Sequence, residues 1–141
     1  MFATNLPDHI ARLRDIDLFS DCTTRELRCI DSITTAVRIE SGRVLCREGE
    51  IGRECFVVLD GQADVDLDGD HRTVGRGTLL GEIALLTPRG RRIATVTALT
   101  NITLLAFTRT EFSRLMTGVP CVAHKVLREA TRRLVEDVNG P

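Results

Sequence analysis

Residues 41–65 read "SGRVLCREGEIGRECFVVLDGQADV". Glycines at 42, 49, 52 and 61 cut this stretch into apolar runs a few residues long, and the runs are built from Val, Leu, Phe and Cys. Pieces so short and so rich in β-branched and aromatic residues are strands, and the glycines between them mark turns. The texture continues on both sides, from Thr34 to Thr108, as "TAVRIE", "RVLCRE", "CFVVLDG", "ADVDLD", "RTVG", "ATVTAL" and "ITLLAF", with further glycines at 69, 75, 77, 81 and 90. Many short strands joined by glycine turns predict a compact β-barrel or roll.

The flanks change period. In "PDHIARLRDIDLFSDCTTRELRCIDSI", apolar residues recur at helical intervals (Ile10, Leu13, Ile16, then Leu27, Ile30, Ile33), with Asp8 placed as an N-cap for the first segment and Thr23 or Thr24 for the second. After the strands, "TRTEFSRLM" reads as a helix capped by Thr108 or Thr110. Gly118 breaks it, and "PCVAHKVLREATRRLVEDVNGP" follows, with Pro120 suited to a first turn and Gly140 to a stop. Val122, Ala123, Val126, Leu127, Ala130, Leu134, Val135 and Val138 form one broad apolar stripe along it, and Glu129 with Arg133 makes an i, i+4 pair in the favourable order. The predicted class is α+β, mainly β: a double-stranded, jelly-roll-like β-roll with two N-terminal helices, a short cassette helix and C-terminal helices. Residues 1–141 form a single domain in this reading, divided into 1–33, 34–108 and 109–141.

One segment interrupts the apolar pattern with charge. In "LLGEIALLTPRGRRIATVTAL", residues 79–99, Glu82 follows a glycine directly and Arg92 stands ten residues on, before a small apolar run. Glu82 to Leu86 suits a helix of about a turn and a half, whose first N–H groups are unpaired donors. Such a helix start, with a guanidinium brought back against it by a loop, makes an anion site suited to phosphate. The carboxylate is out of place in a pure phosphate pocket, but a ligand carrying hydroxyls as well as phosphate resolves the conflict, since a carboxylate accepts strongly from a sugar O–H.

"GEIALL", a loop, then "RRIATVTA" resembles the phosphate-binding cassette of the cyclic nucleotide-binding domain family, whose usual form is GE, an apolar residue, A, L, a variable loop, then R, x, A, T or S. "SGRVLCREGEIGRECFVVLDGQADV" is similar to that family's glycine-punctuated strands and "LRDIDLFSDCTTRELRCI" to its leading helices, so the resemblance covers nearly the whole chain. It implies a cassette over residues 77–98. Gly81 and Ala84 would be backbone contacts, Glu82 the acceptor for the ribose 2′-hydroxyl, and Arg92 the partner of the exocyclic phosphate oxygens. Ile83, Ile93 and Thr95 fall within the cassette, and Val65 and Val74 stand where base-facing strand residues lie. Family members selective for cGMP often carry a threonine or serine after the arginine; Ile93 offers no hydroxyl, which favours cAMP over cGMP. Bacterial activators of the family contact adenine through hydroxyl residues late in the long helix, where this chain has "EDVNG", with Asp137 and Val138.

The resemblance implies a cyclic nucleotide-binding regulatory module in which the ligand repositions the C-terminal helix, whose partner is a second copy or an effector protein. Two alternatives are the sensor part of a catabolite activator-like transcription regulator and a scaffold that has lost its nucleotide. No helix-turn-helix follows the long helix before Pro141, so no nucleic-acid binding is expected of this chain alone. An enzyme is the least expected class: Glu82 has no paired acid in view, and no nucleophile sits beside a base.

Composition agrees with a binding module. With 141 residues the chain can bury roughly 68% of its unfolded surface. Its 19 basic and 20 acidic groups leave a net charge of -1, which gives no electrostatic reason for a nucleic-acid or anionic-membrane partner. No apolar run approaches a membrane span and no signal peptide opens the chain, so a cytoplasmic location is expected. Cys22, Cys29, Cys46, Cys55 and Cys121 are odd in number and never spaced CxxC, and so read as reduced thiols with neither a cofactor nor a metal. Arg89 and Arg91 read as solvated loop charges. His9, His71 and His124 read as isolated surface or packing residues, and Asp64, Asp66, Asp68 and Asp70 as a solvated strand face.

Overall fold

The computed structural model of the chain describes residues 6–86 and 90–139. Packing divides them into two compact units: Ile33–Phe112, and a helical unit drawn from residues 6–32 and 113–139.

The first unit holds eight strands in two antiparallel four-stranded sheets: β1 (Thr35–Ile39), β2 (Val44–Cys46), β3 (Glu54–Asp60), β4 (Ala63–Leu67), β5 (Asp70–Val74), β6 (Leu79–Leu80), β7 (Thr95–Ala98) and β8 (Ile102–Thr108). One sheet runs in the order β1-β8-β3-β6, the other β2-β7-β4-β5. The mainly β architecture expected from the glycine-punctuated runs is therefore present. β3 and β8 are central strands, and "CFVVL" and "LLAF" in them are buried without alternation, the pattern of strands covered on both faces. β7 alternates half-buried and buried residues, with Val96 and Ala98 turned to the core. Phe56, Val58, Leu80, Val96, Ile102 and Leu104 belong to one continuous core cluster.

β4 and β5 form a hairpin with Leu67 opposite Asp70, across a two-residue turn in which Asp68 (φ 52) and Gly69 (φ 85) both have positive φ. That is the hairpin turn whose twist matches the strands it joins. The outer strand is exposed and polar, "DHRTV", which blunts the sheet edge against pairing with another chain.

The helical unit contains α1 (Leu6–Arg14), a 3-10 turn (Asp17–Phe19), α2 (Thr24–Ile33) and α5 (Pro120–Asn139). α3 (Glu82–Leu85) lies in the β unit, and α4 (Arg109–Gly118) runs on from β8. α1 includes Asp8, so that residue is helical and not the cap that its position suggested; its side chain, like those of His9, Asp137 and Val138, lies outside the described set, as do Arg89 and Gly140. Ile16 lies beyond the end of α1, immediately before the 3-10 turn. Thr23 caps α2 in a reciprocal box: its N–H donates to Glu26 Oε1 at 2.8 Å and its Oγ1 accepts from Glu26 N–H at 3.1 Å. Thr108 and Glu111 do the same for α4 at 2.8 and 3.2 Å.

The stripe on α5 is split by the fold. Val122, Val126 and Ala130 are buried, whereas Leu127, Leu134 and Val135 are 49%, 45% and 51% exposed. Glu129 accepts from Arg133 Nε at 3.1 Å and from Arg132 as well; the Arg132 bond comes first among the causes that hold its carboxyl below the usual range. Lys125 donates to the carbonyl of Asp17 and to Ser20 Oγ, and lies 3.1 Å from the Asp21 carboxylate, so α5 is pinned to the 3-10 turn.

Candidate functional site

The residues of interest surround a backbone clamp. The turn over residues 47–52 pairs with residues 90–92: Arg92 N–H donates to Glu50 O at 2.7 Å, Gly49 N–H to Arg92 O at 2.9 Å, and Gly52 N–H to Gly90 O at 2.9 Å. Three main-chain bonds thus fix the base of the Arg92 side chain, which is only 9% exposed. Its guanidinium carbon lies 5.9 Å from the centroid of the Phe56 ring, and its Nη1 is 3.4 Å from Gly81 O. An ionised group buried to this degree needs surrounding polar or π partners.

Glycine at two positions lets the guanidinium sit there. Gly81 caps α3 in the left-handed region at φ +84, and a Cβ on it would fall 2.3 Å from Arg92 Nη1. At Gly52 the constraint is close approach: a Cβ would meet the Ala84 Cβ at 2.4 Å and Arg92 Nη1 at 3.2 Å. Glu82, the first residue of α3, is fully buried, and its carboxylate stands at the positive end of the short helix. The two charges act on the thiols around them. Burial, then the Glu82 carboxylate, pushes the Cys55 thiol far up, with Arg92 opposing; burial likewise raises Cys46, again against Arg92.

The far end of α3 is held by a residue that sequence reasoning missed. Arg109 donates from Nη2 to Gly52 O at 3.0 Å and to Ala84 O at 3.1 Å, and from Nη1 to Leu85 O at 3.3 Å. A cation on the last carbonyls of a helix satisfies acceptors that have no intrahelical partner. One side chain thereby ties the 47–52 turn to the cassette helix.

Gly81, Glu82, Ala84 and Arg92 are thus gathered around the Gly52 turn, with Ile83 half-buried on α3. Ile93 turns away, 38% exposed. Thr95 Oγ1 accepts from Glu48 N–H at 3.1 Å, which joins the start of β7 to the same 47–52 turn. Val65 and Val74 are half-buried on β4 and β5, opposite Arg72 and Ala63, and pack on the core cluster. Arg91 is exposed as expected of a loop charge, yet its Nη1 donates to Gly49 O at 2.7 Å and so reinforces the clamp. The missed residues Gly49, Glu50, Gly52, Phe56 and Arg109 act through long-range contacts; the "REGEIG" glycines were the one local signal.

Known proteins resemble this chain in sequence and fold. The sequence profile of the cyclic nucleotide-binding domain matches residues 36–118. A cyclic nucleotide-gated potassium channel of Rhizobium etli is 32% identical over 95 residues, which span 67% of this chain and 26% of the channel. Among solved structures, the catabolite activator protein of Thermus thermophilus superposes with a TM-score of 0.73 at 29% identity, covering 85% of this chain and 59% of that one. The N-terminal domain of a transcriptional regulator from Streptomyces coelicolor A3(2) gives 0.66 at 30% identity, covering 94% of each chain. The alignments span about a quarter of the length of the curated channel relatives. No helix among the described residues is long and apolar enough to cross a membrane. With the clamp around Arg92, the buried Glu82 and a profile match over more than half its length, the chain belongs to the cyclic nucleotide-binding domain family.

Proposed function

We propose that residues 77–98 bind cAMP in preference to cGMP and that the bound nucleotide acts on the C-terminal helix. The observation that carries this reading is the pairing of a fully buried carboxylate, Glu82, with a guanidinium only 9% exposed, Arg92, on one short cassette. Two opposite charges at such depth suit a ligand that has an anionic end and a hydroxyl end. Arg92 offers a planar fork to the exocyclic oxygens of the cyclic phosphate, helped by the N–H groups at the start of α3, with Gly81 and Ala84 contributing backbone and Ile83 a wall. Glu82 accepts from the ribose 2′-hydroxyl. Thr95 receives the Glu48 N–H and keeps its own hydroxyl proton to donate. Ile93 presents the base with a backbone N–H and no hydroxyl, which suits adenine better than guanine, and Val65 with Val74 forms an apolar bed for the ring.

The role is regulatory, not catalytic: Glu82 and Arg92 bind without breaking a bond. Ligand binding biases α5 only as far as it favours one helix arrangement over another; a tenfold preference shifts that balance by about 1.4 kcal/mol. The exposed Leu127, Leu134 and Val135 are the surface through which α5 reaches a second copy or an effector. The likeness to a catabolite activator and to a transcriptional regulator domain favours, as a second reading, a sensor that serves transcription.

Calorimetric titration with cAMP and cGMP tests the binding. Saturable cAMP binding is expected, stronger than that of cGMP, and Arg92→Ala weakens it by about 2 to 5 kcal/mol, the usual loss on truncating one side of a buried charge pair. Absence of heat and of any thermal shift at millimolar nucleotide overturns the reading.

A further inference from the structure

Cys22 and Cys121 are 99 positions apart in the chain and 3.7 Å apart at their sulfurs. Sequence spacing gave no hint of the pair: Glu26 follows Cys22 by four residues and His124 follows Cys121 by three, but no motif joins the two cysteines. The fold supplies what the sequence lacks. Cys22 lies just before α2, Cys121 is the second residue of α5, and the Glu26 carboxylate joins them, so that one ligand atom from each lies within 4.8 Å of the others.

The spacing fits a metal better than a bond between the sulfurs. Two thiolates on one tetrahedral zinc, each at about 2.3 Å, are held about 3.8 Å apart, so the cysteines need hardly move. A disulfide requires them to close to about 2.05 Å. We propose that Cys22, Glu26 and Cys121 form a binding site for a thiophilic divalent cation of the zinc class, which staples the segment entering α2 to the first turn of α5.

Three further observations support the site. Glu26 Oε1 is already held by Thr23 N–H at 2.8 Å, the kind of outer hydrogen bond that orients a ligating carboxylate. Cys22 is buried while Cys121 and Glu26 are half-buried, so the cluster is sheltered and still accessible to an ion from solvent, and a water would complete a tetrahedral set of four. Charge also favours a cation here, since a divalent ion offsets two of the three ligand charges and the Lys125 ammonium, itself paired with Asp21 at 3.1 Å, acts on Cys22 in the same sense. The consequence is a second tether for α5 beside Lys125, independent of the nucleotide cassette.

The test uses the whole chain, reduced and freed of metal, titrated with cobalt(II) and then zinc(II). One equivalent of cobalt is expected to raise a thiolate-to-metal charge-transfer band, which zinc bleaches. Cys121→Ser removes the band and Cys29→Ser keeps it. Glu26→Gln weakens cobalt binding by about tenfold or more. That variant is decisive if Cys121→Ser misfolds, because glutamine still serves the capping box and the metal-free protein melts as the parent does. The proposal is overturned by a band that survives in Cys121→Ser, by unaltered affinity in Glu26→Gln, or by no band at millimolar cobalt. It is equally overturned if excess zinc fails to stop Cys22 and Cys121 from oxidising to a disulfide in air.

Discussion

Arg109 donates from Nη2 to the carbonyl oxygen of Ala84 at 3.1 Å, joining the residue that follows β8 to the last turn of the cassette helix. With its bonds to Gly52 and Leu85, it satisfies three carbonyls on buried residues. Replacing it by Met leaves those oxygens without their cationic donor. Discounted for the partial exposure of Arg109, the expected destabilisation is about 2 kcal/mol. A urea titration checks it: the midpoint falls and the slope stays unchanged. Arg109→Lys recovers only part of the loss, because a compact ammonium cannot fork across three acceptors. Nucleotide affinity should fall alongside, since α3 carries Glu82. A variant that unfolds at the parental midpoint rules out this bridge as a source of stability.

How much of this was legible beforehand follows from the range of the contacts. The strands, the cassette helix and the later helix boundaries are written locally, in glycine spacing, helical period and S/T-x-x-E boxes. The pair Glu82 and Arg92 was legible too, because an isolated charge inside an apolar run stands out. What makes Arg92 fit was not. A Cβ on Gly52 would meet Ala84 and Arg92, thirty-two and forty positions further along the chain, and Arg109 reaches back to Gly52 before the cassette and to Ala84 and Leu85 within it. No periodicity announces such contacts. The same is true of Cys22 and Cys121, dismissed on spacing and brought together by the packing of α5. Asp8 misled for the opposite reason: a good cap residue stood near a helix start that lay further upstream.

Gly81 offers a sharper test of the site. At φ +84 any side chain costs about 1 to 2 kcal/mol of backbone strain. Gly81→Ala also drives a methyl to 2.3 Å from Arg92 Nη1, so the guanidinium must leave its place. Gly69→Ala carries similar strain at φ +85 with nothing within 4 Å of the new methyl. Both variants should therefore lose stability in thermal melts, but only Gly81→Ala should also lose cAMP binding, by at least tenfold. Equal nucleotide affinity in the two would detach Gly81 from the site.

The two capping boxes give predictions for helices outside the site. Sequence left Thr108 and Thr110 open as caps for α4; Thr108 is the one that exchanges bonds with Glu111. Thr108→Ala should cost about 1 kcal/mol, whereas Thr110→Ala, exposed and inside the helix, should stay within about 0.5 kcal/mol of the parent. Chemical denaturation of the pair distinguishes them. If the Thr110 variant is the weaker one, the cap has been assigned to the wrong residue.

A pH-dependent contribution is expected from the β4–β5 hairpin. His71 Nδ1 lies 2.9 Å from Asp64 Oδ2, and its Nε2 lies 3.8 Å from Asp66 Oδ2. The hydrogen bond to Asp64 first, then the charges of Asp64 and Asp66, raise the His71 pKa above its ordinary 6.5. A histidine whose folded pKa is raised stabilises the fold fully below its unfolded pKa, and that contribution disappears as pH climbs through the folded value. Between about pH 6 and pH 8 the parent should therefore lose more stability than His71→Gln does, with the two curves converging at the alkaline end. The His71 side chain is exposed and Asp64 is half-buried, so salt should reduce the difference in part. Thermal melts of both proteins across this window, at low and high salt, measure it, and an NMR titration of the His71 ring reports the folded pKa directly. Parallel melting curves together with a His71 titration at its ordinary value would show that Asp64 and His71 do not interact in solution.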